Sequence, residues 1–241
     1  MQLGFYSYVY DKPNATRACL ESIRNIYPDH PIVISCDNGH DFTDLCKEKK
    51  IIYHHYKNRI GYPSTDAGYN KTQLIEWLDR MYRAVNLLNT DFFMMVEDDI
   101  KILKAVTLKA EWECVGQLRM YEGQVPPMPP EFLNIIHTFS GVIPAHNYYT
   151  TGGGSIFKTD TFLKNYFHVR HFLMQNFDYI QQNIYKTIGW MDCMMTVFYL
   201  LCGKPLTEND KLYNNFPIVK PFDVSTLPNH IEIVHLFKDH Y

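Results

Sequence analysis

Hydrophobic and polar positions in the N-terminal part of the chain form two alternating kinds of segment. Four short runs are rich in apolar, β-branched and aromatic residues and have the length of strands: residues 3–9, 31–36, 51–56 and 91–96. Between them lie segments with helical character: residues 15–25, 42–50 and 72–88. In the longest helical segment, apolar residues recur at spacings of four and three, at positions 74, 78, 81, 85 and 88. This alternation predicts βαβ units and a mainly parallel sheet flanked by helices.

The second half of the chain has a less regular pattern. Residues 124–131 contain four prolines and predict an extended loop, and the uncharged stretch 132–157 predicts a further loop region. Three glycines at 152–154 precede a predicted short strand at 155–158. The remaining predicted elements are helices that start at residue 160, at 167–185 and at 191–202, and a last strand or extended segment at 231–237.

Composition and charge narrow the class of protein. Hydrophobic residues make up 46% of the 241 positions, which is enough for a large core, and we predict one domain with halves at 1–103 and 104–241. The 23 basic and 26 acidic residues give a net charge of −3, which disfavours a general nucleic-acid binder. We find no 18-residue apolar run and no secretory signal, so we expect no transmembrane segment and a cytoplasmic location. The six cysteines form no C-x-x-C pair, so we expect buried free thiols.

The most informative stretch for chemistry is Glu97-Asp98-Asp99, which directly follows a predicted buried strand. In an extended chain Glu97 and Asp99 share one face, about 6.6 Å apart, and Asp98 points to the other. Ligands of open α/β sheets bind beyond the carboxyl ends of strands. Acids this close repel one another and call for a cation or several hydrogen-bond donors, and Mg²⁺ or Mn²⁺ suits both carboxylate and diphosphate oxygens. The tripeptide alone is equally compatible with a solvated acidic turn.

The order of these parts resembles that of a GT-A-fold glycosyltransferase and is similar to the large inverting family 2. Residues 5–39 read FYSYVYDKPNATRACLESIRNIYPDHPIVISCDNG, similar to that family's opening strand, helix and second strand that ends in Asp. Glu97-Asp98-Asp99 resembles the D-x-D motif, with Glu in its first position. The glycines at 152–154 resemble the loop beside the donor sugar, and Asp192 falls at the x-E-D acid, where Met191 replaces the usual Glu.

The resemblance implies a fold, a reaction and a set of site residues. The fold would be GT-A-like: a Rossmann-like, mixed and mainly parallel sheet flanked by helices, with 1–103 as the nucleotide-sugar half and 104–241 as the acceptor half. The reaction would transfer a sugar from a UDP- or GDP-linked donor to a hydroxyl acceptor with the help of Mn²⁺ or Mg²⁺. The implied metal ligands are Glu97, Asp99 and His235, and the implied general base of an inverting reaction is Asp192. The implied nucleotide-sugar-binding residues are Tyr6, Ser7, Tyr8, Asp37, Arg59, Asp98, Gly153, Gly154 and Lys238.

Several of these residues also have a plainer interpretation. His235 is equally compatible with a packing or surface histidine, Arg59 with a solvated loop charge, and Asp192 with an acid that favours the dipole at a helix start. Of Tyr6 and Tyr8, we expect strand alternation to turn one toward the core.

Two other functions remain open from the sequence. A nucleotidyltransferase that makes nucleotide sugars usually carries a Gly-rich loop with Arg or Lys after its first strand, and residues 8–14 contain no Gly. A non-catalytic carbohydrate- or nucleotide-binding module on the same fold is compatible with Met at position 191.

Overall fold

A computed structural model of the chain describes residues 1–60, 71–119, 128–144, 149–150, 152–182, 190–214 and 223–236, with the side chains of 118–119, 149, 190–193 and 214 left aside. Its first part alternates strands and helices, as the sequence predicts. The elements are β1 (Leu3–Val9), α1 (Pro13–Ile26), β2 (Ile32–Cys36), α2 (Thr43–Glu48), β3 (Ile52–His55), α3 (Lys71–Leu88) and β4 (Phe92–Val96). Each predicted element is present, and the boundaries differ by a few residues.

The elements of the second part are shorter. The strands are β5 (Ile100–Ile102), β6 (Cys114–Gly116), β7 (Leu118–Arg119), β8 (Tyr149–Thr150), β9 (Ile156–Lys158), β10 (Leu206–Glu208), β11 (Leu212–Asn214) and β12 (Ile233–His235). The helices are α4 (Pro130–Ser140), α5 (Thr159–Gln175), α6 (Phe177–Ile180) and α7 (Trp190–Leu201), and a 3₁₀ turn spans Val224–Thr226. The predicted helix at 167–185 is therefore two elements, since its first half belongs to α5 and a bend at Asn176 separates α6.

The helix α4 lies where the sequence predicted loop. Pro130 occupies its first turn, where a missing N–H has no cost and the fixed φ angle suits the helix. Gly141 ends it in the left-handed conformation, with φ of 73°. The proline at position 130 therefore marks the start of a helix and not an extended loop. Residues 124–127 of the predicted loop lie outside the described part of the chain.

A seven-stranded mixed sheet organises the fold, with the order β10-β6-β9-β4-β1-β2-β3. The strands β4, β1, β2 and β3 are parallel, whereas β9 runs antiparallel to both β4 and β6. Strands from both halves of the chain thus share one sheet. A second sheet has the order β11-β12-β5, and β7 pairs with β8.

Hydrophobic layers cover both faces of the large sheet. One core cluster places α3, α5 and α7 against one face, and the other places α1 and α2 against the opposite face. All five residues of β2 and all five of β4 are buried, which explains why these strands read as continuous apolar runs. Within the described ranges, no helix combines the length and the apolar character needed to cross a bilayer.

The cysteines with described side chains are free thiols, as expected. Cys19, Cys36, Cys46 and Cys114 are buried and Cys202 is half-buried. Burial raises the pKa of Cys114 to about 12, so its thiol stays protonated at neutral pH.

Phe93 on β4 tests the packing of the sheet. Its side chain is fully buried and its ring centroid lies 5.3 Å from that of Phe157 and 5.5 Å from that of Phe162. We expect Phe93→Ala to lower the free energy of unfolding by about 3–5 kcal/mol, because it leaves a cavity. The matched control is Phe167→Ala, at a ring that is 67% exposed, for which we expect a loss below about 1 kcal/mol. Urea unfolding measures both, and equal losses would contradict the packing.

Candidate functional site

The acidic turn after β4 lies at the carboxyl edge of the parallel strands. The chain leaves β4 at Val96, turns through residues 97–99 and returns as β5, with the Ile100 amide donating to the Glu97 carbonyl at 3.2 Å. The strand β12 pairs with β5 and places His235 opposite Ile100. The Leu236 amide then donates to the Asp99 carbonyl at 2.9 Å. Backbone pairing therefore fixes the histidine beside the acids.

Three side chains from this edge converge. The Nε2 atom of His235 lies 3.0 Å from Oδ1 of Asp99 and 3.7 Å from Oε2 of Glu97. One ligand atom from each residue lies within 4.8 Å of the others, and within the described part of the chain these are the only three His, Cys, Asp or Glu side chains grouped in this way. Asp99 is fully buried and His235 is 6% exposed. One buried and one half-buried carboxylate together with an imidazole fit a divalent cation, since a cation offsets the repulsion and desolvation of the acids.

Asp98 forms an ion pair and is not one of the three grouped residues. Its Oδ2 atom lies 3.9 Å from Nζ of Lys12, which directly precedes α1. The chain forms a turn at residues 98–99, where the sequence analysis assumed an extended strand. Lys12 brings a positive charge to the rim of the same edge.

The glycine segment borders the acidic turn. A Cβ atom on Gly153 would lie 3.2 Å from the Glu97 carboxylate, so the backbone approaches this acid closely. Gly154 has a φ of 83°, and a Cβ there would meet Leu212 at 2.9 Å. Its amide donates to the Met95 carbonyl at 2.8 Å, which ties the segment to β4. Larger residues at either position would displace the acids or β11.

Asp37, at the end of β2, takes part in a buried ion pair. Its carboxylate is 2% exposed and lies 2.6 Å from an Nη atom of Arg80, which is also 2% exposed. It further accepts hydrogen bonds from the Tyr8 hydroxyl at 2.5 Å and from the Ile60 amide at 2.9 Å. The protein itself therefore supplies donors to both oxygens of this carboxylate.

Tyr6 and Tyr8 of β1 both pack against the core. Tyr6 is 1% exposed, and Tyr8 packs half-buried against the same core cluster. The expectation that only one of them points inward is wrong, because residues two apart on a strand share a face. Ser7, on the opposite face, is also buried. Burial and the hydrogen bond to Asp37 raise the pKa of Tyr8, so its hydroxyl remains a donor.

Arg59 contacts the residue that directly follows β1. Its guanidinium carbon is 4.3 Å from the ring centroid of Tyr10, the residue that follows β1. The Arg59 side chain is exposed and Tyr10 is half-buried. The planar cation is therefore held at the surface and is not a freely solvated loop charge.

Two predicted site residues cannot be placed. Asp192 belongs to the first turn of α7, but its side chain lies outside the described residues. Lys238 lies wholly outside them.

Sequence reasoning missed two cations, Arg80 and Lys12. A signal for Arg80 exists, because it follows Glu76 by four residues on α3, and its Nε atom lies 2.8 Å from that carboxylate. Its position beside the apolar stripe of α3 gave no indication of burial. Lys12 carries no comparable signal.

Comparison with known proteins agrees with this architecture. The fold is GT-A-like, a mixed α/β sheet flanked by helices, as predicted. One similar solved structure is the galactosyltransferase LgtC in complex with donor and acceptor sugar analogs, with a TM-score of 0.55. The two chains are 12% identical, and the alignment covers 98% of this chain and 87% of the other. No protein-family model and no curated protein matches the sequence. At this identity the likeness concerns the fold alone.

Cation binding tests the group formed by Glu97, Asp99 and His235. We expect Mn²⁺ at about a hundred times its dissociation constant to stabilise the protein by about 2.7 kcal/mol, a rise in melting temperature of about 5 °C or more. Asp99→Asn should abolish this rise because it removes a charged ligand. Asp160→Asn, at an exposed acid of α5 paired with Lys164, is the control and should retain it. A full rise in Asp99→Asn would place the ion elsewhere.

Proposed function

We propose that the protein is a glycosyltransferase that moves a sugar from a UDP- or GDP-linked donor to a hydroxyl acceptor, with Mn²⁺ or Mg²⁺ as cofactor. The observation that carries this proposal is the convergence of Glu97, Asp99 and His235 at the carboxyl end of β4. On an open α/β sheet this is the edge where ligands bind. The similar structure of LgtC holds donor and acceptor sugar analogs, which supports the same two classes of ligand for this chain.

The donor's diphosphate would lie at the acidic turn. Glu97, Asp99 and His235 would hold the cation, which supplies charge neutralisation to the departing diphosphate. Lys12, now 3.9 Å from Asp98, would add a second positive charge, and Lys238 is proposed as a further phosphate contact. A reaction that releases a doubly charged group requires compensation of this kind.

The nucleoside would extend from there across the ends of β1 and β2. Neighbouring strands lie about 4.8 Å apart, so the order β4-β1-β2 places the end of β2 about 10 Å from the acidic turn. We propose that Ser7, Tyr8, Asp37 and Arg59 form the nucleoside end of the site. Tyr6 would support it from within the core, since its side chain is buried.

The sugar would lie against the glycine segment. A Cβ atom on Gly153 would crowd Glu97, and the absence of a side chain lets a ligand approach the backbone there. We propose Asp192 as the general base that accepts the proton of the acceptor hydroxyl while the anomeric carbon is attacked from the face opposite the diphosphate. The product would then have inverted anomeric configuration.

Turnover tests the reaction. We expect the protein to release UDP or GDP from at least one member of a panel of nucleotide sugars, faster with a hydroxyl acceptor present and only with Mn²⁺ or Mg²⁺. Asp99→Asn should lower kcat/KM by about a hundredfold or more, since the diphosphate loses its counter-charge. Asp160→Asn should be unchanged.

Two outcomes would favour the other functions. Formation of a nucleotide sugar from a nucleoside triphosphate and a sugar phosphate would indicate a nucleotidyltransferase. Metal-dependent binding of nucleotide sugars with no release of nucleotide, under any acceptor, would indicate a binding module.

Asp192→Asn tests the base. We expect kcat to fall by about 10²- to 10⁴-fold with little change in donor binding, because the variant keeps the side-chain size and loses proton acceptance. Nuclear magnetic resonance of the product should show inverted anomeric configuration. Retained configuration, or normal turnover in Asp192→Asn, would contradict this assignment.

A further inference from the structure

The backbone on either side of Arg59 is held by hydrogen bonds to side chains from other elements of the fold. Arg59 lies between Asn58 and Ile60, and the backbone of each neighbour is bound. The Asn58 carbonyl accepts a hydrogen bond from an Nη atom of Arg80 at 3.2 Å. The Ile60 amide donates to Asp37 at 2.9 Å, and the Ile60 carbonyl accepts from the Gln73 side chain at 2.7 Å. The backbone on both sides of Arg59 is therefore held.

Arg80 is the centre of this network. Its guanidinium binds Asp37, Glu76 and the Asn58 carbonyl, and its carbon lies 3.8 Å from the ring centroid of Tyr56. Five donors in a planar fork allow one side chain to make all these contacts. An arginine this buried is costly to desolvate, and replacing the whole Arg80–Asp37 pair by hydrophobic residues would often serve stability as well. Arg80 orients Asp37 and the backbone of residues 57–60, and this role explains why an arginine stands at this position.

At the protein surface this network adjoins the Arg59–Tyr10 pair, whose chemistry is compatible with nucleotide binding. The Arg59 guanidinium carbon lies 4.3 Å from the ring centroid of Tyr10, the residue that follows β1, and the Arg59 side chain is exposed. A planar cation backed by an aromatic ring can stack on a base and can bind phosphate oxygens. Asp37, whose oxygens already accept bonds from protein donors, acts on this surface through the Ile60 backbone.

We propose that Arg80 is a positioning residue: through Asp37 and the backbone of Asn58 and Ile60 it fixes Arg59 over Tyr10, and this stack is the contact surface for the nucleoside diphosphate. The inference rests on the proposed function, because it assumes that a nucleotide occupies this edge. It goes further in assigning nucleotide binding at this edge to a cation–aromatic pair whose position is set from the core.

Binding of UDP and GDP with Mn²⁺, measured by calorimetry, tests the proposal. Arg59→Ala removes the stacking cation at an exposed site and should raise the dissociation constant about tenfold without changing the melting temperature. Arg80→Met should raise it to a similar extent and also lower the melting temperature. The double variant should bind no more weakly than Arg80→Met, since both changes remove one interaction. Arg80→Lys, which keeps the charge and loses the fork, should lie between Arg80→Met and the unaltered protein.

Arg170→Met is the matched control. Arg170 on α5 pairs with Asp79 on α3 at 2.8 Å, so the variant also breaks an Arg–Asp pair that involves α3, but one away from residues 57–60. It should leave nucleotide binding unchanged. Amide hydrogen exchange gives a readout without nucleotide: exchange at Ile60 should accelerate in Arg80→Met and stay unchanged in Arg59→Ala and Arg170→Met.

The outcomes separate the two proposals. If the unaltered protein binds UDP or GDP and Arg80→Met binds it equally well, Arg80 only stabilises the fold and the inference is overturned. Unchanged binding in Arg59→Ala overturns it as well. If the unaltered protein binds neither nucleotide with Mn²⁺, the proposed function fails, and the assignment of Arg80 fails with it.

Discussion

The mutual repulsion of two acids at one strand end is the constraint on which the site depends. Asp99 is fully buried and Glu97 is half-buried, and both lie within reach of one imidazole. Carboxylates in such a place need a positive partner, because water cannot solvate them. The backbone pairing of β5 with β12, the bare glycines and the turn after β4 all serve to bring this group together. The same electrostatic demand makes the edge a candidate place for a cation.

The first part of the fold could be predicted from the sequence because each of its elements has a pattern contained within that element. The buried run of β2 and the apolar spacing of α3 each lie within a single element, and the alternation of such elements predicts a parallel sheet. The second part depends on contacts between distant residues. No local sequence pattern indicates that β9 runs antiparallel between β4 and β6, or that β12 pairs with β5. The helix α4 was missed because its prolines were interpreted as loop signals, although one of them starts the helix.

The candidate site likewise contains residues that the local sequence indicates and residues that only the fold brings together. Glu97 and Asp99 were recognisable as acids at a strand end, whereas His235 entered only through the resemblance to a family. The structure adds the distances that join the three. The ion pair between Asp37 and Arg80 joins residues 43 positions apart, and neither sequence neighbourhood reveals it. The resemblance to a family implied a nucleotide-binding carboxylate at Asp37, where the fold has a carboxylate that already accepts hydrogen bonds from protein donors.

The position of His235 in the chain has a consequence for biosynthesis. A nascent chain that has emerged up to β11 already contains both acids of the turn but not the imidazole, nor the strand that aligns it with β5. Domains form as their segments leave the ribosome, so the large sheet could assemble around an acidic edge that still lacks its third ligand. Docking of β12 would then bring His235 to the two acids only after both of them have been synthesised.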